Sequence, residues 1–445
     1  MKVFLATLGV LATANLYACA TQSYPVVADT ESAETQTPRT EVLTEAESVE
    51  SQGGNLADLP TSTTPEQRFT AWKSGFIDRM SRRYDPALVQ SVVGPAELQP
   101  QLLESDENQP EFTRPIWGYL DSALKESRVA PGQESLRVYA PTFEAIEARY
   151  RVPREVLTAI WGMESQYGTF MGDNPVVSAL ATFAFEGRRS EMFTEQLEAL
   201  VQLVAEGKLK PDDLYGSWAG AMGMTQFMPA TMRDYAVDFD GNGVIELRTS
   251  EADALGSAAH YLSRFGWVPG EPAFIEVMLP QGFDYALADG STKRAVSEYE
   301  RLGVAPVRGT STGSLFAPTL ASSEAKLLLP AGARGPAFLT LKNFDVIKRY
   351  NNSTSYALGV AGLAKTFEGE IPVLREWPRD DQPLSFTEKK QLQERLLQLG
   401  FDPSGVDGVI GPGTRKAIRA WQAANGLPAD GYVEQNLFRR IMGLG

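Results

Sequence analysis

The stretch IWGMESQYG, residues 160–168, closes a segment that reads as a helix, and it poses one problem: a carboxylate, Glu164, in line with apolar side chains. The residues before it are VPREVLTA, where Pro153 suits a first helical turn and Gly168 suits the stop. Val156, Leu157, Ile160 and Trp161 recur at three- and four-residue spacing, and Glu164 continues that series. Burying an unpaired carboxylate costs several kcal/mol, or its pKa rises until it holds a proton. From this stretch alone two readings stay open. One is a helix-end Glu that snorkels to solvent or pairs with an Arg; the other is a carboxyl kept protonated for chemistry.

The chain has 445 residues, room for two or three domains, and 43% hydrophobic residues make its bulk globular. A net charge of −15 argues against a nucleic-acid partner, which would demand a basic face. One His and one Cys leave little for a His-based triad or a zinc site, and no disulfide can form within the chain. Any catalysis must rest mainly on carboxylates, which are plentiful. The lone His260 is read as structural.

The N-terminus, MKVFLATLGVLATANLYACA, has a Lys and then an apolar run of signal-peptide length, too short to span a bilayer. Cys19 follows Leu16-Tyr17-Ala18, which resembles a bacterial lipobox, where the Cys becomes the lipidated N-terminus. Ordinary cleavage after Ala18-Cys19-Ala20 is the alternative and would give a soluble periplasmic protein. By resemblance to known lipoprotein sorting, Ala20 after Cys19 implies the periplasmic face of the outer membrane, where the cell has one, with anchoring through lipid. Residues 20–65, rich in Thr, Ser, Glu and Ala, read as a flexible acidic tether.

From Phe69 to about Phe265 the pattern is helical, with candidates EQRFTAWKSGFIDRM, TFEAIEARY, SEMFTEQLEALVQLVAEG and EADALGSAAHYLSRFG. Between about 272 and 342 short apolar runs (PAFIEVMLP, GTSTGSLFAPTL, AKLLLPAG, PAFLTL) predict a small β-rich insert. FDVIKRYNNSTSYALGVAGLAKTF returns to helix, and 374–383 is a linker. The last unit, 384–445, puts Leu392, Leu396 and Leu399 on one helix face, and Asp407-Gly408 and Asp430-Gly431 each open a turn into another helix. Its GVIGPGTRKAIRAWQ stretch and three-helix pattern resemble a peptidoglycan-binding domain.

Four stretches taken in order complete the reading: WGMESQYG, ALATFAFEGRRSEMF (179–193), SWAGAMGMTQFMPATMRDYAVDFDGNG (217–243) and RYNNSTSYALGVAGLA (349–364). In order and spacing they resemble lytic murein transglycosylases of the B type, over about residues 69–373 of a domain spanning 66–373. The resemblance implies a mainly α (α+β) protein: a lysozyme-like helical catalytic domain carrying the β-rich insert, followed by the separate C-terminal module. It implies Glu164 as the single catalytic carboxyl, with Ser217, Gln226, Tyr350, Asn351 and Tyr356 lining a groove that holds a peptidoglycan glycan strand. Tyr261, Arg188 and Arg189 match further substrate positions. For the tyrosines the competing reading is core packing, for the arginines a solvated pair, and for Gln226 a satisfied core amide.

The chemistry accounts for the carboxyl among apolar residues. A desolvated Glu164 stays protonated near neutral pH and can protonate a leaving glycosidic oxygen. Hydrolases usually need a second carboxylate, and nothing marks Asp173 as one. A lytic transglycosylase avoids that need, because the muramic acid 6-hydroxyl attacks C1 and leaves a 1,6-anhydro end. A muramidase on the same fold and a non-catalytic wall-binding scaffold are the rival readings. A monomer is expected, with no catalytic cofactor.

DFDGNG, from Asp238, resembles the start of an EF-hand loop, with Asp238, Asp240 and Asn242 at positions 1, 3 and 5 and Gly243 at the sharp turn. Val244 offers a backbone carbonyl, but position 12 is Thr249. In the family the last ligand comes later, and Asp253 matches it, which implies a structural Ca²⁺; a metal-free Asp/Asn/Gly turn is the alternative.

Overall fold

The computed structural model describes residues 63–107, 115–187, 189–307 and 316–444. The signal segment, Cys19, nearly all of the tether and Arg188 lie outside the described residues. Helices α1 (Pro65–Met80), α2 (Pro86–Val93), α3 (Pro100–Glu107), α4 (Ile116–Ala123), α5 (Glu126–Val138) and α6 (Ala140–Tyr150) lead into α7 (Arg154–Ser165), which carries Glu164. Next come α8 (Val176–Glu186), α9 (Ser190–Ala205), α10 (Pro229–Tyr235) and α11 (Glu251–Arg264). A two-stranded ribbon, β1 (Asn174–Pro175) with β2 (Tyr215–Gly216), precedes the loops of the site.

Local sequence sets these boundaries. Thr64 and Gln67 form a capping box at α1, and Ser250 caps α11 by accepting from Asp253 N. Helix α7 is buried on all sides from Val156 to Gly162, not on one stripe, because α5, α11 and α14 (Thr354–Phe367) pack around it. It ends earlier than Gly168 suggests. Ser165 is its last residue, and Gln166 and Tyr167 both take left-handed backbone angles, φ 49° and 59°. The stop is made by two non-glycine residues, a conformation that needs tertiary contacts to hold it.

The insert is a five-stranded antiparallel sheet, with β3 (Phe274–Met278), β4 (Arg294–Ala295), β5 (Ala305–Pro306), β6 (Glu324–Leu328) and β7 (Ala337–Thr340) in the order β4-β6-β7-β3-β5. It also contains helix α12 (Val296–Arg301), which the sequence reading did not separate. Of GTSTGSLFAPTL, residues 309–315 lie outside the described residues, and Pro318–Leu320 is a single 3₁₀ turn, not a strand. Along β7, Phe338 faces the helical core while Ala337 and Leu339 face the insert's own core. The sheet therefore separates two apolar cores, which is why its strands read as continuous apolar runs without alternation.

FDVIKRYNNSTSYALG is two helices, α13 (Lys342–Tyr350) and α14, broken at Asn351–Ser353. Ser353 caps α14 by accepting from Tyr356 N and so sets Tyr356 in its first turn. At the C-terminus, α15 (Phe386–Gln398), α16 (Pro412–Ala424) and α17 (Gln435–Met442) share a third core around Leu392, Leu396, Ile418 and Phe438. Leu399 departs from the expected face: it caps α15 and is exposed.

Segment 374–383 is pinned to its neighbours. The Glu276 carboxylate on β3 accepts from Leu374 N (2.6 Å) and Arg375 N (2.8 Å). Trp377 lies between Trp117 and Phe338, and Arg379 forks onto Asp121. Arg334 from the insert engages Asp380 and the buried Asp381, and Asp430 of the last unit accepts from Ala333 N at 2.8 Å.

Candidate active site

Three segments from distant parts of the chain meet at the end of α7. Tyr356 donates its hydroxyl to Glu164 Oε1 at 2.5 Å. Ser165 Oγ donates to Met224 O at 2.6 Å and accepts from Gly168 N at 2.9 Å. Tyr350 donates to Thr225 O at 2.6 Å. The loop 222–227 is thus held from two sides. It closes on itself through paired backbone bonds between Met222 and Phe227. Gly223, at φ +75°, allows the close approach of Leu247, where a Cβ would collide. Gln226 sits at the loop's end with a left-handed backbone, and its amide donates to Gly223 O (2.8 Å) and Met171 O (3.2 Å).

Glu164 keeps part of its surface accessible, yet its carboxyl is closely enclosed, and burial pushes its pKa from the ordinary 4.5 up to about 8. The Tyr356 hydroxyl acts in the opposite direction, since it donates to the charged form. Tyr356, almost fully buried, is itself held well above the usual phenol range, first by burial and then by the adjacent Glu164. Asp173 is exposed in the loop before β1. Among the described residues the arrangement is one protonatable carboxyl with one hydroxyl donor.

The other expected residues fall in two layers. Tyr356 touches Glu164 directly, while Gln226 belongs to the loop that Ser165 grips and Tyr350 donates to it. Ser217 Oγ accepts from Ala221 N in the 217–221 turn, and Asn351 is buried in the break between α13 and α14. Tyr261 stands behind them. It is buried, meets Tyr350 edge-on with ring centroids 5.4 Å apart, and donates to Arg349 O at 2.7 Å. Arg189 lies over the Phe193 ring, its guanidinium carbon 5.4 Å from the centroid. His260 donates from Nδ1 to Tyr235 O at 2.9 Å and packs between Tyr150 and Tyr235, a structural place.

Sequence reasoning missed Ser165, Thr225 and Tyr119. Ser165 adjoins Glu164, and a Ser at a helix end is its one signal in the sequence; its burial is a property of the fold. Thr225 acts through its backbone carbonyl, which no side-chain pattern reveals. Tyr119, on α4, lies against Gly359 and adds to the raised pKa of Tyr356.

In the 238–253 loop, Asp238, Asp240 and Asp253 bring carboxylate oxygens within 4.8 Å of one another. Asp238 accepts from the amides of Gly241, Asn242 and Gly243, and Asn242 Oδ1 accepts from Val244 N. Asp253 is fully buried, and burial raises its pKa although Phe239, Asp240 and Glu246 amides donate to it. Three converging carboxylates, one without solvent, are a donor set that suits a hard divalent cation.

Comparison with known proteins identifies the frame. The transglycosylase SLT domain family matches residues 68–365. The chain belongs to that family. The peptidoglycan binding domain family matches residues 387–441, so this is a lytic transglycosylase of the B type with a C-terminal wall-binding module. It is 31% identical over 369 residues to membrane-bound lytic murein transglycosylase B of Escherichia coli K12, covering 79% of this chain and 94% of that protein. It is 44% identical to SltB3 of Pseudomonas aeruginosa, solved with a NAG-anhNAM-pentapeptide, with a TM-score of 0.80 over 84% of this chain and 99% of that one. It is 31% identical to the Escherichia coli lytic transglycosylase Slt35, solved with calcium, with a TM-score of 0.58 over 66% of this chain and 92% of that one. Among the described residues no helix of this transglycosylase is long and apolar enough to cross a membrane.

Proposed function

We propose that this lytic transglycosylase cleaves the β-1,4 bond between N-acetylmuramic acid and N-acetylglucosamine in peptidoglycan, with Glu164 as acid and then as base. The observation that carries the reading is a lone carboxyl whose burial holds it protonated near neutral pH, with Tyr356 donating to one of its oxygens. Protonated Glu164 gives its proton to the leaving N-acetylglucosamine oxygen as positive charge develops at muramic C1. The resulting carboxylate, stabilised by the Tyr356 hydroxyl, takes the proton of the muramic 6-hydroxyl while that oxygen bonds to C1. Glu164 ends protonated, the product is a 1,6-anhydro end, and no water is consumed. Attack within one sugar also gains from proximity.

In this reading Ser217, Gln226, Asn351, Tyr350 and Tyr356 line the groove and orient the sugar, Tyr261 supports Tyr350 from behind, and Arg188 and Arg189 are further substrate-binding positions. Mass spectrometry of digested sacculi tests it. Anhydro-muropeptides from the native enzyme, and none from Glu164→Gln, are expected; reducing muramic ends would favour a muramidase, and an active Glu164→Gln would sink the mechanism.

The same reading assigns a structural Ca²⁺ to Asp238, Asp240, Asn242, the Val244 carbonyl and Asp253; the convergent carboxylates and the calcium complex of Slt35 support it. It takes residues 1–19 as a lipoprotein signal and 20–65 as a tether. Residues 66–373 are the catalytic domain, 374–383 the linker and 384–445 the wall-binding module. Lipid on Cys19 would hold a monomer at the periplasmic face of the outer membrane, where tether and module raise the effective concentration at the wall.

A further inference from the structure

The turn that ends α7 is strained and must be held. Gln166 and Tyr167, consecutive non-glycine residues in left-handed conformation, directly follow Glu164-Ser165. Both of their amides turn back to Trp161 O. The Tyr167 side chain is wedged against α5 and α7. A Cβ at Gly132 or at Gly162 would collide with its hydroxyl, so both neighbours have to be glycine for the ring to sit there. That hydroxyl donates to Arg128 O at 2.7 Å.

Arg128 then closes the circuit. Its Nε donates to Gly162 O (3.2 Å), two residues before Glu164, and its Nη1 donates to Ser122 O (2.7 Å) and Ala123 O (2.9 Å) at the end of α4. The guanidinium is half-buried, and among the described residues its hydrogen bonds go to backbone carbonyls and to no carboxylate. It is spent entirely on backbone carbonyls. Helix α4 also carries Tyr119, which packs at Gly359 of α14 close to Tyr356. One side chain therefore ties the helix that holds Glu164 to the helix that backs its hydroxyl donor.

We propose that Arg128 and Tyr167 are positioning residues for Glu164: together they lock the left-handed turn and the Gly162 carbonyl, and so hold the carboxyl in its enclosure against Tyr356. The proposal rests on the role assigned to Glu164 above. The lock acts through geometry. The titratable groups around the carboxyl are Tyr356 on α14, with Tyr350 from α13 and Tyr119 from α4 beside that phenol.

The test compares Arg128→Met, Arg128→Lys and Tyr167→Phe with native enzyme on a defined peptidoglycan oligosaccharide, well below each unfolding midpoint. Arg154→Met, which breaks the Glu147 pair at the far end of α7, serves as a purely structural control. Expected for Arg128→Met and Tyr167→Phe are a kcat loss of about ten- to a hundredfold with KM little changed. The alkaline limb of kcat should also move to lower pH, because a carboxyl that leaves its enclosure loses the burial that raised it. Arg128→Lys, keeping a cation that can reach one carbonyl, should recover part of the rate. If the Arg128 and Tyr167 variants behave like Arg154→Met, with a lower midpoint but native kcat and pH limb, they are ordinary braces and the proposal is overturned. Glu164→Gln tests the underlying role separately: activity in that variant refutes the role of Glu164 whatever the lock variants do.

Discussion

The hydroxyl of Tyr356 and Oε1 of Glu164 lie 2.5 Å apart across 192 residues of sequence, and this contact couples burial to chemistry. Burial alone would make Glu164 a strong holder of its proton and a poor giver. The phenol donor restrains the rise, and under the proposed mechanism it would stabilise the carboxylate that the first step leaves behind. Tyr356→Phe should therefore lower kcat by about ten- to a hundredfold and move the alkaline limb above its native position near 8. A pH–rate profile on a soluble muropeptide measures both; a downward shift of the limb would contradict the hydrogen bond's role.

Glu164→Gln should cost about a thousandfold or more in rate, since general acid and base are lost together. Its stability should change in the opposite sense. Glu164 ionises near 4.5 when unfolded and near 8 when folded, so it favours the unfolded state increasingly as pH rises from 4.5 to 8. Removing it should raise the melting temperature at pH 8 and leave it nearly unchanged at pH 4. An equal effect at both pH values would show that the carboxyl is not held protonated by the fold.

Calcium should raise the unfolding temperature of the native protein, and EGTA should lower it, because a ligand bound only to the folded state stabilises it. Asp240→Ala should abolish that response while retaining activity in calcium-free buffer. An EGTA-insensitive midpoint in the native protein would leave Asp238, Asp240 and Asp253 as a metal-free turn.

Arg334→Ala should loosen the last unit from the insert. Its partners Asp380 and Asp381, one exposed and one buried, anchor the segment 374–383. Limited proteolysis reads the effect: cleavage within 374–383 should be faster than in the native chain by severalfold. An unchanged rate would mean that Glu276, Trp377 and Arg379 suffice.

Cys19→Ala should move the protein from the membrane fraction to the soluble periplasmic fraction, and native protein should carry diacylglycerol on Cys19. Intact mass of the mature N-terminus decides between lipidation and plain cleavage.

Much of this protein is legible without coordinates because its determinants are local or motif-like. Helices α7 and α14 announce themselves by periodicity, α14 also by its Ser353 cap, whereas sequence reasoning missed α4 and α5, which pack beside them. The order of WGMESQYG, SWAGAMG, QFMP and RYNNST marks the family, and DFDGNG marks the acidic loop by its Asp and Gly spacing. Elsewhere local signals misled. Gly168 looked like the helix stop, but Gln166 and Tyr167 make it, because Tyr167 finds its partner in Arg128 on another helix. Leu399 matched the apolar periodicity of its neighbours, yet it falls past the end of α15 and faces solvent. The run 374–383 reads as a linker, and nothing in its composition tells that Glu276 and Arg334 pin it.

Local pattern placed a carboxyl in line with apolar side chains at a helix end and marked no second carboxylate as its helper. Which group donates to that carboxyl, and which residues hold its helix end in a strained turn, emerge from packing between distant segments. The reason is physical. Periodicity and capping act over a few residues, whereas a pKa near 8 and a left-handed turn are properties of an enclosure. That enclosure is built by α4, α5, α7 and α14, which meet only when the chain folds.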